Sequence, residues 1–454
     1  MAIYKIEAVK QRPAGGPWDL GKNILSSSKK ITDWEEAAGR LKDNARFFSA
    51  LPVEDMLDFL DAAALHLASM ASPSLEEYSG FGLSFLIPFL RRSNLERLLR
   101  VSLKGIPACL DMFVRLEELG KLVMARPRGL IVHWLAGNVP ALGAISLVQG
   151  LLTKNANVVK LPEENGLFLP SFFDRIAAFE YQTKRGRVVS GKDLAATVLF
   201  VHCEKDDVES QSRLSLSSDV RVAWGGGEAV RNVLRLPKKP GTEDLAFGPR
   251  YSLAAIGRDA YTPDELDPVA MRLAMDASVF DQRGCNSPHE VFVETGGKIP
   301  PPEFARSLAS AMEKTLGRVP KQPMTAGEAY AVVSVRNEYA LRGEVFASSG
   351  TEWTVIYAEE KAAVPACGGR VVFVRPVADI GEVIAHIRPG AQTLGLLLND
   401  ERRTGFAERA AATGIARITP VGKMSLFDYP WDGLFPMERF VRWISWESAA
   451  SSRP

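Results

Sequence analysis

The chain has 454 residues, 46% of them hydrophobic and 24% charged, with 37 Gly and 28 Pro. That balance excludes disordered, collagenous and coiled-coil classes, and the length accommodates two to three domains. Lys and Arg number 55 against 54 Asp and Glu, a formal charge of +1, and without a block of like charge there is no electrostatic footprint for nucleic acid.

Residues 1–30 are polar and punctuated by Pro13, Gly15, Gly16 and Pro17, so they read as an arm draped over the body. No apolar signal-type core follows Met1, and a cytoplasmic protein is expected. From Trp34 to Gly120 apolar residues recur at three- and four-residue steps, as in VEDMLDFLDAAALHLASM and SNLERLLRVSLKG, the period of amphipathic helices. Residues 1–120 are therefore an N-terminal arm and helical region. Within it, GLSFLIPFL at 82–90 reads as the lining of an apolar tunnel or as an ordinary core helix. Leu130–Thr153 carries no charged residue and is long enough to span a bilayer. Gly137, Asn138 and Pro140 interrupt it, so a buried strand and helix joined by a turn is the expectation, with no membrane span. Over 121–247, apolar runs such as GLIVHWL, NVVKL, TVLFV and DVRVAW alternate with amphipathic stretches. A second series, with YSLAAIG, HEVFVE, RVVFVRPV and QTLGLLLN, occupies 248–398. Alternation of this kind predicts an α/β fold of two doubly wound lobes with a cleft between them. The closing 399–454, with Trp431, Trp443 and Trp446, is expected to pack against a neighbouring lobe or a second copy of the chain.

Four cysteines, at 109, 203, 285 and 367, show neither metal-ligand spacing nor a disulfide framework, so reduced thiols and no metal are expected. Cys285 lies in SVFDQRGCNSPHEVFVE, between a predicted helix ending near Phe280 and a predicted strand beginning near His289. A turn there would present the thiol at the edge of a sheet, where α/β folds bind substrates. A free cysteine is as readily a small buried hydrophobe, and the surroundings leave both readings open. Cys109, Cys203 and Cys367 read as structural.

Trp224-Gly225-Gly226-Gly227-Glu228 follows a strand-like run and precedes a helical one. Such a turn brings bare backbone N–H groups to an anion such as a pyrophosphate, or simply lets strand and helix pack closely. Lys160, at the end of NVVK, can hold a ribose or phosphate or be solvated. Asn138, inside an apolar run, must be hydrogen-bonded, either to the turn or to a bound oxygen. His133 and His289 are candidate bases, more simply satisfied strand histidines.

In this order, PRGLIVHWLAGNVPALGAISLVQGLLTKNANVVKLPEEN, DVRVAWGGGEAV, FGPRYSLAAI and FDQRGCNSPHEVFVE, with the later QTLGL and Trp431-Asp432-Gly433, resemble the LuxC family of acyl-CoA reductases within the aldehyde dehydrogenase superfamily. The resemblance runs from about 120 to the end. It implies an aldehyde dehydrogenase-like fold: a nicotinamide cofactor lobe at 121–247, a catalytic lobe at 248–398, and a segment 399–454 returning to the cofactor lobe or to an oligomer interface. It also implies Cys285 as nucleophile, Asn138 as donor to the oxyanion, and Lys160, Glu163, Trp224, Gly225, Gly226 and Glu228 as cofactor contacts. Hydrolytic relatives carry a glutamate in a LELGG-like segment that activates water. Here LAFGPR places Ala246 and Phe247 near that position, although Glu243 or Glu228 could stand in. Without that base an acyl-enzyme lasts long enough to be reduced.

The expected activity is NADPH-dependent reduction of a fatty acyl-CoA to an aldehyde through S-acyl-Cys285, in a homo-oligomer served by acyl-transferring partner enzymes. Glu163 would disfavour a 2′-phosphate and leaves NADH open. Oxidative acylation of short aldehydes and a non-reducing acyl carrier are the alternatives. Which group lowers the Cys285 pKa is not readable from the sequence; Arg283, two residues away, is one candidate.

Overall fold

The computed structural model describes residues 4–6, 28–69, 82–164, 168–360 and 367–447; most of the predicted arm 1–30 lies outside the described residues. The chain divides into two compact units, Met1–Gly248 with Leu434–Pro454, and Pro249–Gly433.

In the first unit the predicted helical region forms helices Trp34–Phe48, Val53–Ser69, Leu83–Leu90 and Arg92–Ser102. Asp33 caps the first by accepting from the Glu36 N–H, which satisfies one of its orphan donors. Leu83, Leu86, Phe89 and Leu90 are the buried face of the 82–90 segment, packed against Val53–Ser69 and Pro140–Leu152; it is an ordinary core helix. The strands of this part of the chain are β1 (Tyr4–Ile6) and β2 (Ser28–Lys30) before those helices, and after them β3 (Val114–Leu116), β4 (Lys121–Pro127), β5 (Leu130–Trp134), β6 (Ala156–Lys160), β7 (Glu180–Gln182), β8 (Val188–Ser190), β9 (Val198–His202), β10 (Val220–Trp224) and β11 (Glu243–Phe247). A sheet in the order β11-β10-β5-β6-β9-β1-β2 is parallel from β11 to β9, with β1 and β2 antiparallel at its edge. Every residue of β5 is buried, as a strand covered on both faces must be. The uncharged Leu130–Thr153 run resolves into β5, a turn, and helix Pro140–Leu152; no described helix is long and apolar enough to cross a membrane.

The second unit contains β12 (Tyr251–Ile256), β13 (Pro288–Glu294), β14 (Glu344–Ala347), β15 (Thr354–Tyr357), β16 (Val371–Val377), β17 (Ala391–Leu397) and β18 (Arg417–Pro420). Their order is β14-β15-β16-β13-β12-β17-β18, parallel except for β14. Helices Leu266–Ser278 and Pro301–Thr315 bury Leu273, Ala277, Phe304 and Leu308 with Val291, Val355 and Val372 on one face. The other face holds Phe292, Leu394 and Phe406.

The last segment divides where the sequence reading kept it whole. Residues 399–433 belong to the second unit, through helix Asp400–Ala411 and β18. The chain then returns to the first unit as β19 (Val441–Trp446), antiparallel to β4. Aromatic density hid that division, because Trp431 is buried in one unit while Trp443 and Trp446 lie on a strand of the other.

Candidate active site

In the second unit the chain leaves helix Leu266–Ser278 and turns through Phe280, Asp281 and Gln282 at φ 54°, 53° and 64°. Side chains rarely adopt that left-handed region, at about 1–2 kcal/mol per residue, so it persists only where the surroundings over-determine it. Here they do. The Asp281 carboxylate accepts from Arg370 Nε at 2.8 Å and from the Gln322 N–H at 3.1 Å. The Gln282 amide donates to the Pro288 and Val371 carbonyls at 2.7 and 2.8 Å and accepts from the Val371 N–H at 2.9 Å.

Cys285 follows on this fixed ledge. Ser252 Oγ donates to its carbonyl at 2.6 Å and accepts from the Thr393 N–H at 3.1 Å, binding the loop to β12 and β17. The neighbouring Asn286 donates to the Met424 carbonyl at 2.9 Å. Asp276, accepting from the backbone of Gly422, Met424 and Ser425, holds that turn. Cys285 is partly buried. It precedes β13 and so stands at the amino end of the parallel strands.

Burial pushes the Cys285 thiol up to about 12, and the Asp432 carboxylate adds to the rise while Arg250 opposes it. Arg283, the candidate from sequence, pairs with Glu328 at 3.0 Å, and Arg250 opposes the rise of the thiol. Arg250 Nε lies 3.7 Å from Asp432, whose side chain is 3% exposed. Neither residue was singled out in the sequence: Asp432 belongs to a quoted motif, but only the fold brings it to Cys285. Burial lowers the His289 ring to about 4, and its Nδ1 is buried with no hydrogen-bond partner among the described residues. His133, fully buried, is bonded to Ser146 and Asn157 at 2.8 and 3.2 Å, as a structural histidine should be. Burial also raises Cys109 to about 12 and both Cys203 and Cys367 to about 11.

The first unit holds a cavity of about 690 Å³ at the carboxyl ends of β5, β6 and β10. Lys160, Trp224 and Glu228 line it together with Lys205, Asp206 and Arg235. Trp224 stacks on Phe247 at 4.0 Å. Gly225, at φ 156°, donates its N–H to the Phe247 carbonyl at 3.1 Å and leads into helix Gly227–Arg235, and a side chain at Gly226 would meet nothing within 4 Å. Glu163 is exposed and outside that lining. Asn138 is exposed too, in the turn before Pro140. Ala246 lies on β11, beside Ala223 of β10. Glu243, the stand-in base on the same strand, is occupied by ion pairs to Arg128 and Arg439.

The family profile described as acyl-CoA reductase (LuxC) matches residues 48–443. This chain belongs to the LuxC family. It is 28% identical over 332 residues to a long-chain acyl-protein thioester reductase of Aliivibrio fischeri, covering 72% of this chain and 65% of that relative. The protein of the same name from Vibrio harveyi is 26% identical over 330 residues, with the same coverage. The chain thus spans just under two thirds of the length of these LuxC relatives. Among solved structures, a NAD-dependent benzaldehyde dehydrogenase from Corynebacterium glutamicum aligns with TM-score 0.60 at 15% identity, over 91% of this chain and 90% of that one. Aldehyde dehydrogenase 21 from Physcomitrella patens aligns with TM-score 0.64 at 12% identity, over 98% and 97%. These likenesses establish an aldehyde dehydrogenase fold for this LuxC member.

Proposed function

We propose that the protein reduces a long-chain acyl thioester to an aldehyde, with Cys285 as the acyl acceptor. The observation that carries this reading is the Cys285 loop: a partly buried cysteine on a strained turn fixed by Asp281, Gln282 and Ser252. Such strain is commonly kept where geometry serves function. Cys285 Sγ attacks the thioester carbonyl, the donor thiol departs, and a neutral S-acyl group remains. Thiol-for-thiol exchange is nearly isoenergetic, and Ala246 in place of the water-activating glutamate favours a lasting acyl-enzyme over carboxylate release. Asn138 is proposed as a side-chain donor to the oxyanion on the family resemblance alone. The relatives' names point to a protein-bound acyl donor and the family's description to acyl-CoA; the protein thioester is the preferred donor, an acyl-transferring enzyme its source.

The cavity of the first unit fits a dinucleotide. Lys160 and the N–H groups at Gly226 and Gly227 would hold ribose and pyrophosphate, and Lys205 and Arg235 offer cations to a 2′-phosphate, which supports NADPH over NADH. When bound, the reduced nicotinamide supplies the hydride that converts the S-acyl group to aldehyde.

Intact-mass measurement of wild type and Cys285→Ser with acyl-CoA and acyl-protein donors, with and without NADPH, tests the reading. The expected result is an adduct on wild type alone, cleared with aldehyde release by NADPH. An adduct that neither nicotinamide clears would instead make the protein an acyl carrier, and no adduct from either donor would sink the thioester assignment.

A further inference from the structure

Among the described residues of the second unit, two carboxylate oxygens are buried without a hydrogen-bond partner, Glu352 Oε2 and Asp432 Oδ1, and of the two side chains only that of Asp432 is almost wholly buried. Asp276 accepts from three backbone N–H groups, and Asp281 is held by Arg370 and Gln322. Asp432 is 3% exposed, yet its Oδ1 is buried without a hydrogen-bond partner among the described residues. An under-bonded buried carboxylate is costly and calls for an explanation.

Its placement supplies one. Arg250 Nε lies 3.7 Å from Asp432 Oδ2, and Gln392 favours the ionised form of the same side chain. Both sit next to the residues that hold Cys285: Ser252, two positions after Arg250, donates to the Cys285 carbonyl, and Thr393, after Gln392, donates to Ser252. Asp432 itself takes a left-handed conformation, φ 49°, and its pairing with Arg250, the residue before β12, ties the carboxylate to the amino end of the strand whose Ser252 holds the Cys285 carbonyl. Its negative charge acts on Cys285 in the sense that keeps the thiol protonated, with Arg250 opposing. Burial raises the Asp432 carboxyl above its ordinary range, and Gln392 and Arg250 partly offset the rise.

We propose that Asp432 is the general base that takes the Cys285 proton during acyl transfer and returns it to the departing thiol. This rests on Cys285 being the acyl acceptor. As Sγ bonds to the thioester carbon, the S–H proton passes to an Asp432 oxygen. As the tetrahedral intermediate collapses, the donor carbon–sulfur bond breaks and its sulfur leaves as a thiol carrying that proton. Asp432 is ionised again, and no oxidant or reductant is consumed. Arg250 and Gln392 are positioning residues for the carboxylate.

The test reads two rates on the same thiol, from pH 6 to 9: single-turnover acylation by a long-chain acyl-CoA, followed by intact mass, and alkylation by iodoacetamide, which reports thiolate. Removing a general base costs acylation about 10²-fold or more. Removing a like charge lowers the thiol pKa and speeds alkylation. Asp432→Asn is therefore expected to move the two rates in opposite directions, with Asp432→Glu recovering part of acylation. Acylation by Asp432→Asn at the wild-type rate, or both rates falling together in a variant that still unfolds cooperatively, would overturn the assignment. A normal solvent deuterium isotope effect on wild-type acylation is expected and needs no variant; its absence counts against the base. Acylation surviving in Cys285→Ser would defeat the acceptor reading itself, and is distinguishable because it involves no change at Asp432.

Discussion

Asp281→Ala is the perturbation that best separates a rigid Cys285 ledge from a loop that happens to be well packed. It removes the partner of Arg370, a guanidinium 1% exposed and bonded to Asp281 at 2.8 Å, and it frees the Gln322 N–H. Removing one member of a buried ion pair costs about 3–5 kcal/mol because the other charge is left uncompensated. For a unit of this size each kcal/mol lowers Tm by about 2–4 °C, so a fall of about 6–20 °C is expected in the transition of the second unit. Differential scanning calorimetry measures that shift, and iodoacetamide alkylation on the same samples reports whether the thiol has moved. Replacing both charges, in Asp281→Leu/Arg370→Met, is expected to restore most of the stability but not the acylation rate, since the left-handed residues lose the contacts that fix them. A single-variant fall below about 3 °C, equivalent to roughly 1 kcal/mol, would refute the reasoning, as would full acylation in the double variant.

The remaining predictions concern the acyl-enzyme, the cofactor and pH. Ala246→Glu is expected to shorten the lifetime of the S-acyl adduct by about 10²-fold and to shift product from aldehyde to carboxylate, read by intact mass and product analysis; an unchanged lifetime would show that Ala246 is not the place of the missing base. Lys205→Ala is expected to weaken NADPH binding by about tenfold, the worth of one exposed charge contact of up to 1.4 kcal/mol, with NADH binding unchanged, as measured by fluorescence titration; equal losses for both would remove Lys205 from 2′-phosphate recognition. Lys321 Nζ is buried with no hydrogen-bond partner among the described residues, and burial lowers it from 10.5 to about 8. Between pH 8 and 10.5 the unfolded chain therefore holds a proton that the folded chain has released, so the Lys321 contribution to stability rises with pH across that window and is most unfavourable below it. Lys321→Met is expected to raise Tm at pH 7 and to flatten the curve from pH 8 upward; a curve parallel to wild type would contradict this.

The elements were legible where one face or both faces of a strand dictate composition. TVLFV became β9, LIVHW became β5, and the turn around Cys285 fell between a helix ending at Ser278 and a strand starting at Pro288, close to the Phe280 and His289 bounds. What the sequence withheld is made by distant residues. Arg250, Gln392 and Asp432 come from three separate segments, and no spacing rule joins them to Cys285. Arg283, two residues from the thiol, attracted attention by proximity along the chain, yet its side chain turns to Glu328. Phe280, Asp281 and Gln282 carry no signal for left-handed backbone, since tertiary bonds from Arg370 and Val371 impose it against local preference. Glu163 followed Lys160 too closely for sequence to tell a cavity residue from an exposed one.

The high pKa of Cys285 and the chemistry proposed for it fit together once the charge states are separated. Burial penalises only the thiolate. The resting thiol and the S-acyl group are both neutral, so the pocket that raises Cys285 to about 12 costs neither of them anything. A protonated resting thiol is also poorly nucleophilic toward oxidants and adventitious electrophiles. The penalty falls on the moment of transfer, when a sulfur must become nucleophilic without first becoming a free anion. The proposed role of Asp432, a buried carboxylate with one oxygen unpaired among the described residues, is to take the proton as the new bond forms. On this reading the resting thiol stays protonated until an acyl group arrives, and water meets no free thiolate.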